Sequence, residues 1–185
     1  VLALFPDKHE ASAKRALRSA NHLLVRYFIG VSIQIVAITV INSLGLHFIA
    51  QLDFSYALAL GFITGLLNII PYIGPWLGAA IGVILTLATQ LPPEVNYWSL
   101  IIRMVIVYGI TQLVDNFLFQ PFIFSSSVKA HPLEIFLVVL IAASLAGVIG
   151  MLIAIPVYTV LRVFAAEFFS NFKVVRELTE KIDIE

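Results

Sequence analysis

The chain is 185 residues long, with eleven basic and eleven acidic side chains that cancel to zero formal charge and no cysteine. Hydrophobic residues make up 61% and charged ones 12%, about half of the roughly 25% charge carried by an ordinary soluble domain. Such a set cannot surface a water-exposed globule. The neutral balance argues against nucleic acid as a partner, and the lack of cysteine removes disulfides and thiolate metal sites.

The charges gather at the two ends. Lys8, Lys14, Arg15, Arg18 and Arg26 precede the first long apolar run, and Lys173, Arg176 and Lys181 follow the last. Val1 to Phe5 is a short hydrophobic stretch ending at Pro6, which reads as the end of an upstream membrane span. Asp7 to Leu24 is rich in Ala, Lys, Arg and Leu behind that proline, which predicts a polar juxtamembrane helix on the cytoplasmic side, residues 1–26 in all. Residues 27–52 then carry no charge. At about 1.5 Å per residue they span roughly 39 Å, enough to cross a hydrocarbon core of about 30 Å, so Tyr27 to Ile49 is a transmembrane helix.

Residues 54–93 form a second charge-free run, but Asn68-Ile69-Ile70-Pro71-Tyr72-Ile73-Gly74-Pro75 in its middle cannot continue a helix. The arms, Tyr56 to Ile70 and Trp76 to Gln90, are each about 22 Å long and too short to cross alone, so a re-entrant helical hairpin is expected. Irregular backbone at that depth is tolerated only in protein or beside a wet cavity. Tyr97 to Phe124 reads as a full transmembrane helix holding Arg103 and, near its middle, Asp115-Asn116. Pro132 to Phe169 contains Gly147-Val148-Ile149-Gly150 and then Pro156, which predicts a second broken hairpin. Residues 27–169 thus form a membrane domain and 170–185 a cytoplasmic tail. The fold class is all-α and polytopic.

The two breaks share a frame, Gly65-x5-Pro71 and Gly150-x5-Pro156, with an earlier glycine at Gly61 and Gly147. The frame is either an internal repeat or a coincidence of biased composition. The positive-inside rule places both basic ends in the cytoplasm. Asp53 and Glu94 then lie outside and Lys129 inside, and the two helix-plus-hairpin units point in opposite directions, the inverted arrangement of secondary transporters. Two single broken spans in place of the hairpins satisfy the same charges.

Four ordered motifs, Asn68 to Pro75, Asp115-Asn116 with Gln120-Pro121, His131-Pro132-Leu133, and Gly147-x-x-Gly150-x5-Pro156, resemble those of the autoinducer-2 exporter family of permeases. The resemblance runs from about Pro6 to the tail, and family members carry additional N-terminal membrane helices. It implies a homo-oligomeric, multi-pass transporter of the bacterial inner membrane that exports autoinducer-2, the quorum-sensing signal, or exchanges sodium or lithium for protons.

Asp115 stands out because a carboxylate deep in an apolar helix costs about 2.5 kcal/mol or more unless paired, neutralised or hydrated. Helical spacing sets Gln112, Asp115, Asn116 and Gln120 near one face with Thr111 beside them. Those four and Asn68 are the candidate substrate- or ion-binding residues. The bland alternative is a structural Asp115 paired with Arg103 or another base, although Arg103 lies three turns away and reads as an interfacial anchor. Arg162 and Glu167 read as interfacial anchors too, and His131 as a turn residue. Pro71, Tyr72, Gly74, Pro75, Gly147, Gly150 and Pro156 are candidate gate and helix-break positions. Gly78 and Gly82 continue a small-residue packing face from Gly74. No zinc motif, second mid-membrane acid or phosphate loop is present, so neither an enzyme nor a metal or cofactor is expected. The expected partners are the lipid bilayer, a small-molecule or ion substrate and further copies of the chain. The primary reading is alternating-access transport of a small polar solute, and the alternative is a monovalent cation/proton antiporter.

Overall fold

A computed structural model describes residues 10–89, 96–123 and 131–169. The expected upstream span, Glu94, Lys129 and the tail of residues 170–185 lie outside the described residues. Among the described residues every regular element is helical. In order they are α1 (Glu10–Phe48), α2 (Phe54–Leu67), α3 (Gly74–Thr89), α4 (Tyr97–Val114), a π-helical turn (Asp115–Phe119), α5 (Gln120–Ile123) and α6 (Pro132–Phe169).

The polarity of these helices is inverted relative to a soluble protein. Gln34, Asn42, Ser43, Thr64, Asn68, Thr86, Thr111 and Asp115 are buried, while Leu145 is 81% exposed and Phe117 and Trp98 are each 75% exposed. Lipid is the solvent that makes such a surface stable. Three stretches are long and apolar enough to cross a bilayer, Ser12–Phe48, Tyr97–Ile123 and Leu133–Phe168. The third qualifies by length and composition but breaks within itself at Ala146 and Gly147.

The chain divides into two compact units, residues 30–122 and residues 1–29 with 123–185. Helix α1 contributes to both as one 39-residue rod, about 58 Å long. The juxtamembrane segment expected as a helix up to Leu24 is helical from Glu10 and runs without a break into the span. Nothing between Leu24 and Tyr27 breaks a helix, and Ala16, Ala20 and Leu23 are buried, which gives the polar segment an apolar seam of its own.

In the unit of residues 30–122, Asp53 starts α2 by accepting from the amides of Ser55 (2.9 Å) and Tyr56 (3.3 Å), and Asn96 starts α4 by accepting from Trp98 N–H (3.1 Å). A Cβ on Gly61 would strike Ser43 Oγ, and one on Gly65 would strike Thr39 Oγ1, so the two glycines let α2 lie directly against α1. On α3, Gly78 meets Thr64 of α2 and Gly82 meets the Tyr108 hydroxyl of α4. This glycine spacing does the packing work expected of it. Contacts between α1 and α4 run in antiparallel register, from Gln51 with Arg103, through Gly45 with Val107 and Asn42 with Thr111, to Gln34 with Asp115.

Helices α2 and α3 form the expected hairpin. Their mouth is tied by a 3.1 Å hydrogen bond between the Tyr56 and Thr89 hydroxyls, 33 residues apart in sequence. At the tip Tyr72 takes a positive φ of 66°, and Gly74 N–H donates to Ile70 O at 2.9 Å. A side chain on Gly74 would run into the Leu67 carbonyl, so only glycine closes this turn.

In the other unit, α6 breaks at Ala146 (φ −139°, ψ 17°) and Gly147 (φ 58°, ψ −138°). The arms on either side meet again, since Tyr158 Oη donates to Glu134 Oε2 at 2.7 Å across 24 residues. A straight helix would hold those residues about 36 Å apart. Gly150 repeats the device of Gly74, because a Cβ there would strike the Ala142 carbonyl. The break is thus at Gly147 and not at Pro156, which lies inside the second arm. A proline in a helix removes one hydrogen bond without forcing a reversal, whereas Gly147 supplies a backbone conformation that other residues disfavour. The Gly-x5-Pro frames are accordingly not structural equivalents. Gly65 sits in the first arm of its hairpin and Gly150 in the second arm of the other; the equivalent pair is Gly74 and Gly150.

Arg162 and Glu167, read from sequence as interfacial anchors, have separate partners. Arg162 is buried and lies 4.0 Å from Glu134, and Glu167 accepts from Arg15 Nε (3.0 Å) and Nη2 (2.6 Å). His131 fulfils the turn role, its Nδ1 accepting from Leu133 N–H at 3.3 Å as α6 begins.

The fold-back of α6 is checked by cross-linking. With cysteines at Glu134 and Tyr158, a short thiol cross-linker is expected to join the two sites within one chain, whereas an uninterrupted helix would leave them unlinked.

Candidate polar site in the membrane core

The site lies within residues 30–122 and begins with Pro121. Proline has no N–H and crowds the carbonyl four residues back, so an α-helix cannot run through it unchanged. The chain answers with a π turn over Asp115–Phe119, closed by the Gln120 N–H to Asp115 O bond. In an α-helix at about 100° per residue, positions five apart point roughly 140° away from each other. The wider turn brings Gln120 back over Asp115, and Gln120 Nε2 donates to Asp115 Oδ2 at 2.8 Å.

Asp115 is 1% exposed, and its other oxygen accepts from Gln34 Nε2 of α1 at 2.6 Å. The carboxyl is thus held by side-chain amides from two sides. Among the described residues no base pairs with it. Arg103 is occupied elsewhere, donating to Gln51 Oε1 at 2.7 Å, so the alternative of an Asp115–Arg103 ion pair is not formed. Gln112, Asn116 and Gln120 form the expected stripe. Gln112 Nε2 (2.9 Å) and Gln120 Nε2 (3.0 Å) both donate to Asn116 Oδ1, and Asn116 is exposed.

A second polar chain lies deeper. Asn42 of α1 donates from Nδ2 to Thr64 Oγ1 of α2 at 2.8 Å and accepts at Oδ1 from Thr111 of α4 at 2.7 Å, tying three helices together. Beside it is a cavity of about 20 Å³ lined by Ile38, Asn42, Thr64, Asn68, Pro75, Tyr108, Thr111 and Gln112. Gln112 therefore belongs to both groups. The sequence candidates Asp115, Asn116, Gln112 and Gln120 come together as one hydrogen-bonded set, while Asn68 lines the cavity that Gln112 also lines. Of the gate candidates at this tip, Pro75 lines the cavity, Pro71 is buried, and Tyr72 and Gly74 shape the turn.

Gln34, Asn42 and Tyr108 escaped the sequence reading as site residues. The signal was present, since Gln34 and Asn42 are amides two helical turns apart in a charge-free span and so share a face. What sequence could not supply is the partner each one faces.

The sequence profile of the AI-2E family transporters matches residues 1–170. This chain belongs to that family. Relatives named as candidate transport proteins include YueF of Bacillus subtilis (strain 168), 32% identical over 87% of this chain and 41% of YueF. YrrI of the same organism is 34% identical over 61% of this chain and 30% of YrrI. A Methanothermobacter thermautotrophicus protein is 32% identical over 41% of this chain and 22% of its own length. The chain therefore spans less than half of the relatives it matches. No solved structure gives a significant match. The family resemblance read from the four motifs is correct, and the protein is a member of a membrane transporter family.

Removing Gln34 leaves one oxygen of a buried carboxyl without its donor. Cycles in membrane proteins average about 0.6 kcal/mol per side-chain hydrogen bond, and a buried acceptor left without its donor costs about 1–3 kcal/mol. Gln34→Leu is expected to cost about 1–2 kcal/mol in detergent unfolding, and to cost much less when Asp115 is already Leu and no acceptor remains.

Proposed function

We propose that this chain forms part of a permease that moves a small polar solute across the bacterial inner membrane by alternating access, with both ends of the chain in the cytoplasm. The observation that carries this reading is Asp115, a buried carboxyl held at membrane depth by Gln34 and Gln120 with no basic partner among the described residues. Intramembrane ionisable groups are expensive and mark transport paths by default. Asn116, Gln112 and Gln120 extend the polar set to the helix surface, where a solute can exchange amide hydrogen bonds for those it makes with water.

Two helical hairpins that stop inside the membrane supply the moving parts. Discontinuous helices of this kind surround the substrate site in secondary transporters. Family membership supports autoinducer-2 as the first solute to test and a homo-oligomer as the working state.

The test is flux of autoinducer-2 from proteoliposomes holding the intact protein, with sodium/proton exchange followed in parallel. Asp115→Asn keeps the side-chain size but sets a second amide donor against Gln34 or Gln120. The variant is expected to fold and to lose at least about tenfold in solute flux, the scale of roughly 1.4 kcal/mol. Unchanged flux would remove Asp115 from the path, and exchange of sodium for protons without solute flux would replace the reading with antiport.

A further inference from the structure

Asn68 carries a side chain that the hairpin turn does not need. It ends α2 in an ordinary right-handed conformation (φ −65°, ψ −8°) that any residue adopts, and the closing bond runs from its backbone N–H to Thr64 O at 3.1 Å. The side-chain amide takes no part in that bond. Asn68 is nevertheless 6% exposed, and its Nδ2 finds no hydrogen-bond partner among the described residues. A buried donor left unanswered costs about 1–3 kcal/mol, and lipid offers it nothing.

Contacts with α1 mark how deep this amide lies. A Cβ on Gly61 would strike Ser43 Oγ, and one on Gly65 would strike Thr39 Oγ1 and the Ile35 carbonyl, so α2 runs antiparallel to α1. Asn68 follows Gly65 by three residues, about 4.5 Å further along. That step brings it to the height of Gln34, which donates to Asp115. The hairpin tip and the buried carboxyl therefore share one depth. They are also linked through Gln112, which lines the cavity together with Asn68 and donates to Asn116 Oδ1 at 2.9 Å.

The cavity measures about 20 Å³, and one water-sized group needs roughly 10–15 Å³ of such space. It admits a single oxygen and not a whole solute. We propose that the cavity is a subsite of the transport path in which Asn68 Nδ2 donates a hydrogen bond to one neutral hydroxyl or carbonyl oxygen of the solute, the rest of which lies along Gln112 and Asn116; this rests on the transport reading above. The Asp115 carboxyl at the same depth disfavours an anionic oxygen. The solute class is a small uncharged molecule bearing hydroxyl or carbonyl oxygens.

Unfolding and flux of the intact protein, measured on the same variants, test the subsite. Asn68→Ala removes a donor that the described residues leave unanswered, so the unfolding midpoint is expected to stay unchanged or rise. The half-saturating concentration of autoinducer-2 is expected to rise about fivefold to tenfold with maximal flux less affected, and Asn68→Ser, which restores one donor, to recover part of that loss. A lowered midpoint with an unchanged half-saturating concentration makes Asn68 structural and overturns the proposal. A second measurement needs no cargo. In an Asn68→Cys variant folded in lipid, silver ion is expected to reach the thiol and block its later labelling by a maleimide after denaturation. A thiol that silver does not reach lies in a sealed niche, which also overturns the subsite. Loss of flux in Asp115→Asn with none of these effects at residue 68 removes the subsite alone. Wild-type protein that carries no autoinducer-2, while silver reaches residue 68, removes that cargo and leaves the niche standing for another neutral solute.

Discussion

In hydrocarbon no bulk water stands ready for a polar group, so a buried amide, hydroxyl or carboxyl of this chain is costly wherever no other part of the protein answers it. The clasp of Gln34 and Gln120 on Asp115 is the sharpest case. It demands an amide from α1 at a set height and a second amide from beyond the π turn, and it therefore fixes the register of two helices at once. Asn42, bonded to both Thr64 and Thr111, applies the same rule to three helices. Apolar packing against lipid cannot select a register this way, because one leucine against an acyl chain is as good as the next.

Glycine provides the complementary half. Directional bonds between side chains as short as Asn and Thr need backbones that approach closely, and Gly61, Gly65, Gly78 and Gly82 permit that approach. At the hairpin tips Gly74 and Gly150 do something different. Each lets the second arm start against a carbonyl at the end of the first, Leu67 in one hairpin and Ala142 in the other. The likeness of the two hairpins therefore resides in their turns.

Much of this was legible in the sequence. The charge-free runs gave the helices, and the Asn68 to Pro75 string marked a turn that no helix tolerates. Asp115 announced itself by cost alone. The second break was harder, because proline is a louder signal than glycine. Pro156 is accommodated within an arm, while Gly147 takes the positive φ that reverses the chain. Gln34 and Tyr108 were illegible as site residues for a further reason, which is that their importance depends on partners 81 residues away in one case and on a cavity in the other. Nor does local spacing foretell the Asp115 to Gln120 bond, since it requires the π turn that Pro121 imposes.

The proposed path requires that Gln112 and Asn116 meet water inside the membrane while Leu113, Phe117 and Leu118 beside them meet lipid. Single cysteines along residues 112–118 of the intact protein, probed with a small water-soluble thiol reagent, measure this directly. Fast modification is expected at positions 112 and 116 and none at Leu113, Phe117 and Leu118. Equal protection of Asn116 and Phe117 would contradict it.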